Sequence, residues 1–498
     1  MWVLRAVLRS LRRPRVLSWG LAGLFAVLYS CVAVNRHRRM LTQAYDLGIF
    51  EQAVRAYAQG RAPEVLLKGP GYHLLGDHFH PLLATLAPLY RVFPGAVTLL
   101  LAQAVLMALT VVPLSRWAHD IGGWRLAALV GCLTGASWGI VEAVADDVHE
   151  IAFAVPLLAF AATALGRGRP VAAVLWALPL VLVKEDLGLT VAVVGALVCV
   201  RAPRGSGIRA LGFGTALFGL AATALTMLVV LPSFNPRGDF DYWGQMGAGD
   251  AVGAPWEAAA RLFWPPLKWL LLALAAATAG FLGLRSPLAL LCVPTLAWRL
   301  LADNPHYWGV GYHYSAVLMP LLLAALVDTV RRSGAFSGPA ADPGAGVDSL
   351  DGPTGADGRA ARRTRRALAV AGLVGAVTLP LYPLRELAAP GAWDTSPRLA
   401  RSREMLARIP DGATVAASNR LAAQLAGRTT VGLVCREPAP PLADALQDGP
   451  QWVVVDLADP SVHAPCAIAD TLRMLGRYEG LGYRRVVDDG DLRLLRRP

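Results

Sequence analysis

Residues 1–34 read MWVLRAVLRSLRRPRVLSWGLAGLFAVLYSCVAV. Five arginines precede an apolar run that begins near residue 16. A helix of roughly 20 apolar residues spans the hydrocarbon core of a bilayer, and this run reaches that length. Its layout imitates a secretory leader, but no small-residue cleavage site follows. The run therefore reads as a retained membrane helix with its basic flank in the cytoplasm.

The rest of the chain repeats the theme. Of 498 residues, 55% are hydrophobic and 16% charged, where soluble domains carry about 25% charged residues. Eleven membrane helices are the most consistent parse: roughly 16–34, 97–114, 124–142, 151–166, 170–183, 187–200, 210–231, 267–283, 287–300, 315–330 and 367–385. Pro88 interrupts the apolar stretch Pro81–Phe93, which reads as interfacial or re-entrant. Residues 333–366, rich in Gly, Pro, Ala and Asp and ending in RAARRTRR, read as a flexible cytoplasmic linker. Past residue 386, TVAAS and QWVVVDL look like buried strands and SPRLARSREMLARI like an amphipathic helix. The expected fold is thus an all-α polytopic membrane protein with a small C-terminal α/β domain. Its parts are a transmembrane core over 1–332, the linker 333–366, a last membrane helix over 367–385 and an extracytoplasmic domain over 386–498.

The net charge of +12 would suggest nucleic acid in a soluble protein. Here the arginines flank apolar runs, so orientation and lipid headgroups explain them, and no nucleic-acid partner is expected. With the N-terminus inside, Arg116, Arg167, Arg169, Arg201, Arg204, Arg209, Arg285, Arg331 and Arg332 are all cytoplasmic. Against the trend, Arg36, His37, Arg38 and Arg39 emerge outside, as interfacial anchors or as a cradle for a lipid phosphate. Four of the six cysteines lie in apolar runs, and Cys435 and Cys466 are the pair open to a disulfide if their region is extracellular.

This topology gathers the acids and histidines on the outer face. The first outer loop carries Asp46 and Glu51 in YDLGIFEQAV, then His73, Asp77, His78 and His80 in GYHLLGDHFHP. The second holds Asp146, Asp147, His149 and Glu150, the third Lys184, Glu185 and Asp186. The fourth carries Asp239, Asp241, Tyr242 and Trp243, and the fifth Asp303, His306, Tyr307, Trp308, Tyr312, His313 and Tyr314. Charges beside apolar helices are expensive unless paired, wet or functional. Lys184-Glu185-Asp186 is then either a solvated hairpin tip or part of a polar cavity. Asp46 is either a helix N-cap or a general base toward a hydroxyl. Metal ligation is open for His78, His80, Asp147 and His149, leaving a divalent ion as an open cofactor. The aromatics of the last two loops are interfacial-belt residues or a surface for a sugar or lipid. No Walker A, GxSxG or HExxH pattern occurs, and mid-helix charges are scarce, which argues against an ATP-driven pump or a proton-coupled transporter.

The segments Tyr45–Gln52, Asp77–Pro81, Ala87–Pro94, Asp147–Pro156 and Lys184–Gly188 resemble a bacterial and archaeal family of predicted multi-pass membrane proteins of unknown function. That family is grouped with the GT-C membrane glycosyltransferases. His80 stands where the family usually has a small residue, and Glu150 where proline often follows the histidine. The resemblance implies a GT-C-like core acting at the outer face of the plasma membrane, with a polyprenyl-phosphate-linked sugar as donor. By position it makes Asp46 the catalytic base, with Lys184, then Arg38 or Arg299, facing the leaving phosphate. Substrate contacts are expected from Glu51, His78, Asp147, His149, Lys184, Glu185, Asp186, His306, Tyr312 and His313. The alternative is a non-catalytic lipid- or glycan-binding membrane protein, or a transporter.

Overall fold

A computed structural model describes residues 13–240, 242, 260–336, 356–435, 449–459 and 467–498. Helix occupies every apolar run named above. Four stretches are long and apolar enough to cross a membrane: Pro14–Arg38, Ala96–Ala145, Gly207–Phe234 and His313–Arg332. Shorter apolar helices cover Ile151–Gly166, Pro170–Leu182, Leu187–Arg201, Lys268–Thr278 and Pro287–Leu301. Length and composition thus make four stretches capable of crossing a membrane, whereas eleven is a reading of the sequence.

Local chemistry explains the boundaries. Pro14 opens the first helix, where its missing N–H is no loss. Arg36, His37 and Arg38 close it, at the negative end of the helix dipole. The run Ala96–Ala145 kinks at Gly122 and Gly123, the latter at φ +67, so two expected helices form one folded-back stretch. Pro88 starts the helix Ala87–Val92 instead of breaking one, after a 3-10 turn over Pro81–Leu86. The basic end of the expected linker is helical: Ala356–Thr378 is one helix, because RAARRTRR consists largely of strong helix formers. Residues 337–355 of that linker lie outside the described residues.

Three helices share one polarity. Ile151–Gly166 follows Glu150 and ends before Arg167, Leu187–Arg201 follows Asp186, and Leu318–Arg332 ends on Arg331 and Arg332. Their acidic or polar N-terminal turns gather at one end of the bundle and their arginines at the other, where Arg167 pairs with Asp120 (2.6 Å) and Arg332 with Asp328 (2.7 Å). Acids at N-termini and cations at C-termini match the helix dipole. Helices Leu187–Arg201 and Gly207–Leu225 touch through glycines: a Cβ on Gly188 would meet the Gly219 carbonyl, and one on Gly195 the Gly212 carbonyl. Small residues let membrane helices approach backbone to backbone. At the top of this pair, Thr223 Oγ1 donates to the Glu185 carbonyl (2.9 Å) and fixes the Lys184–Asp186 turn.

The C-terminal part is a five-stranded sheet of order β2-β1-β3-β5-β4, with β1 Thr414–Ala417, β2 Thr430–Leu433, β3 Trp452–Asp456, β4 Arg484–Asp489 and β5 Leu492–Arg496. β1 runs parallel to β2 and β3, and β5 is antiparallel to β3 and β4. Ser396 caps the helix Pro397–Ala407 by accepting from Leu399 N (3.2 Å). The sheet does not bury its core alone. One apolar cluster runs from Leu47, Ala53 and Val54 of the membrane part into Leu421, Ala422 and Val431. The four membrane cysteines are free thiols and Cys435 is disulfide-bonded; Cys466 lies outside the described residues.

Candidate functional site

The polar end of the bundle encloses a cavity of ≈ 840 Å³. Asp46, His78, His149, Lys184, Glu185, Asp186, His306, Tyr312 and His313 all line it. They come from four loops far apart in sequence. Lys68, Asp77, Asp146 and Glu150 share the same walls.

Asp46 sits in a π-helical turn, Ala44–Gly48, that runs into the helix Ile49–Ala58. It caps nothing: Gln43 and Gly48 are the cap positions, neither with a side-chain cap bond, which overturns the N-cap reading. Burial pushes its carboxyl up to about 6, against the pull of His149 and Lys68. Around it the charges are paired. Lys184 Nζ reaches Glu150 Oε1 at 2.8 Å, Lys68 Nζ reaches Asp77 Oδ1 at 2.7 Å, and His78 Nδ1 meets Glu185 Oε1 at 2.8 Å. Trp298 Nε1 donates to Asp186 Oδ2 at 2.9 Å, and Tyr242 Oη donates to Asp77 Oδ1 at 2.9 Å. Lys184 is 9% exposed, so the solvated-hairpin reading of its triplet fails. Burial opposes its charge, but Glu150 and Glu185 hold it protonated above the usual lysine range. Burial alone would neutralise Asp77; Lys68 and His78 outweigh it and keep the acid below its ordinary range. With fewer counter-charges, burial raises Asp186 to about 6.

Two expected contacts point elsewhere. Glu51 accepts from Tyr90 Oη (3.0 Å) and packs under Gly427 of the C-terminal domain, where burial raises it to about 7. Glu51 lies in the helix beyond the π-helical turn and outside the cavity lining, so Asp46 and Glu51 face apart. Asp147 adopts φ +61 and turns its Oδ2 to Gln43 N at 2.7 Å, outside the cavity lining. The two arginines expected to face a phosphate are also occupied differently. Arg299 is fully buried and donates to the carbonyls of Tyr307 (2.5 Å) and Gly309 (2.9 Å), which shapes the fifth loop. Arg38 lies at the end of the first helix, outside the cavity lining, and its carbonyl accepts from Arg403 (2.7 Å). Arg237, an exposed residue, is the arginine that lines the cavity among the described residues. Asp241 and Trp243 of the fourth loop lie outside the described residues.

The expected metal ligands do not form one set. His78 is held by Glu185, His80 packs its ring on Phe50 (5.5 Å), and Asp147 holds Gln43. Among the described residues the trio that converges is Asp146, His149 and His313. Its rings disfavour an ion: the His149 and His313 centroids stack at 3.5 Å. Two imidazoles on one tetrahedral ion stand about 5 Å apart, given metal–nitrogen bonds of ~2.1 Å. The trio is instead hydrogen-bonded. Asp146 Oδ2 meets His313 Nδ1 at 3.0 Å and His149 Nε2 at 3.5 Å, and accepts from His313 N at 2.9 Å. Burial disfavours a charged His149, yet Asp146 and Asp46 outweigh it and raise the ring to about 9.

A family model described as predicted membrane protein (DUF2079) matches residues 36–469. The chain belongs to this family. The match covers every cavity-lining residue of this DUF2079 protein and most of its C-terminal domain. Comparison with curated proteins returns no match.

Lys68, Asp77, Asp146, Glu150, Arg237 and Trp298 are among the cavity residues that sequence reasoning left out of the site. Only three of the 47 basic residues are lysines, Lys68, Lys184 and Lys268, and all three are at least largely buried. That rarity is the signal by which Lys68 was open to recognition.

Proposed function

We propose that this protein is a membrane glycosyltransferase of the GT-C type, taking a sugar from a polyprenyl-phosphate donor at the outer face of the plasma membrane. One observation carries the reading: Asp46, the acid in the first outer loop that by position matches the base of such enzymes, lines the cavity at the bundle's end. Asp46 takes the proton of the acceptor hydroxyl as that oxygen bonds to the anomeric carbon. The bond from that carbon to the lipid phosphate breaks, and the phosphate leaves with the electron pair. Lys68, Lys184 and Arg237 supply positive charge for it. The N-terminal turns following Glu150 and Asp186 add dipoles of the same sign. Trp298, Tyr307 and Tyr314 make an edge-to-face aromatic wall suited to the apolar face of a sugar.

The test is incubation of purified protein with a panel of radiolabelled polyprenyl-phosphate sugars. Transfer or hydrolysis by the wild type, abolished in Asp46→Asn with membrane insertion intact, is expected. A fully active Asp46→Asn protein rejects the mechanism. Saturable binding without any product across the panel replaces it with a non-catalytic glycan or lipid binder.

A further inference from the structure

The cavity accounts for one side of the segment that bears Asp46; the C-terminal domain accounts for the other. In open α/β sheets, ligands sit outside the C-terminal ends of strands at the point where successive connections leave in opposite directions. The order β2-β1-β3 puts that point between β1 and β3. Ser418 and Asn419 follow β1, and Ser418 Oγ accepts from Asp456 N at the end of β3 (3.1 Å). In this protein the chain itself fills the adjoining space. Asn419, 2% exposed, turns its Oδ1 to Ala44 N (3.0 Å) and Tyr45 N (3.2 Å), and its Nδ2 donates to Gln43 Oε1 (2.9 Å).

Asp147 completes the grip from the membrane side by accepting from Gln43 N (2.7 Å). Three successive amides, 43 to 45, are thereby held just ahead of Asp46. They are the amides that a helix start leaves without internal partners. Asp147 is itself fixed, because Gln103 Nε2 donates to its carbonyl while Gln103 Oε1 accepts from His149 N (2.9 Å). The domain is anchored alongside: Arg55 Nη1 donates to the carbonyls of Ala426 (3.1 Å) and Thr429 (2.8 Å), and Gln52 Nε2 to that of Val431 (2.7 Å).

We propose that the C-terminal α/β domain is a working part of the site and that Asn419 is a positioning residue, which fixes Asp46 by holding the two backbone amides before it. The inference deepens the glycosyltransferase reading and rests on it only where turnover is measured. Asn419→Ala strips both amides of their acceptor. Asn419→Asp keeps the acceptor, loses the donation to Gln43 and adds a negative charge.

Full-length protein is used throughout, with two readouts that need no substrate. The first is amide hydrogen exchange. In Asn419→Ala, exchange at Ala44 and Tyr45 is expected to rise at least tenfold, with the helix Leu187–Arg201 unchanged, and Asn419→Asp is expected to restore most of the protection. The second is the pH dependence of Asp46 modification by a hydrophobic carbodiimide. Its midpoint is expected to fall in Asn419→Ala, as the loosened carboxyl meets water, and to rise in Asn419→Asp, where a like charge is added. Groups facing Asp46 are Asp146, Asp147, His149, Glu150, Lys68 and Tyr314, and none is altered in either variant. In turnover, Asn419→Ala is expected to lose at least tenfold in kcat with KM within twofold. Unchanged exchange at Ala44 and Tyr45, or midpoint shifts of the same sign in both variants, overturns the proposal. If Asn419→Ala fails to fold, Asn419→Ser, whose shorter side chain does not reach both amides, takes its place in the exchange measurement with the same expected rise. Expected exchange and midpoints in a protein that turns over no sugar would sink the transferase reading and leave the clamp standing.

Discussion

At the scale of single residues, Asp46 combines a raised pKa with a place in the cavity, and the two make opposite demands. Its carboxyl moves from 3.8 to about 6 because burial disfavours the anion. The folded protein therefore binds more protons than the unfolded chain between about pH 4 and 6, and stability falls as pH rises through that window. Asn lacks the ionisation. We expect Asp46→Asn to be more stable than wild type at pH 7.5 by on the order of 2 kcal/mol, with the gap closing below about pH 4 and activity lost throughout. Thermal unfolding at the two pH values checks this; a gap of the same size at both would show that the gain comes from packing. The residue scale was also where the sequence was hardest to read. The residues around Asp46 left it open between an N-cap and a general base, and the family resemblance singled it out as the base. Asp146 and Asp147 are adjacent acids, and which of them enters the cavity is decided by the left-handed backbone at Asp147, which no pattern of residue types announces.

At the scale of elements, the glycine contact between Leu187–Arg201 and Gly207–Leu225 is what holds the Lys184 turn at the cavity. Adding bulk there must push the helices apart, since the atoms that a new Cβ meets are backbone. We expect Gly219→Leu to destabilise the protein by about 1–3 kcal/mol and to shift Thr223 away from Glu185. Gly214→Leu, on the same helix but with open space around its Cβ position, serves as the control and should leave the melting temperature within a degree or two. Equal losses in both would place the effect in lipid contact instead of helix packing. Helices of this kind were easy to read, because a long apolar run in a bilayer has few alternatives to helix. Strands β2, β4 and β5 were not: Gly432 interrupts β2, and β4 (RRVVDD) and β5 (LRLLR) mix charged residues into the run, unlike the apolar runs of β1 and β3.

At the scale of the whole molecule, sidedness decides what the cavity can meet. Two independent features support our proposal that the polar end faces outward. The turns rich in arginine, Arg167 to Arg169, Arg201 to Arg209 and Arg331 to Arg332, are gathered at the far end of the bundle, and cytoplasmic loops carry the excess of positive charge. Cys435, in the domain that adjoins the cavity, is disulfide-bonded, and disulfides persist in oxidising compartments. The four free cysteines lie elsewhere, in the helices, so a background with those four replaced by alanine leaves a clean test. Cysteines introduced singly at Asp411 and Arg204, both exposed, sit at opposite ends. With a membrane-impermeant maleimide on intact cells, Asp411→Cys should label fully and Arg204→Cys only after lysis. The reverse pattern would turn the cavity toward the cytoplasm and overturn the outer-face reading. Labelling of both positions in intact cells would mean that the bundle does not separate its two ends by a membrane, and the positive-inside argument would fall with it.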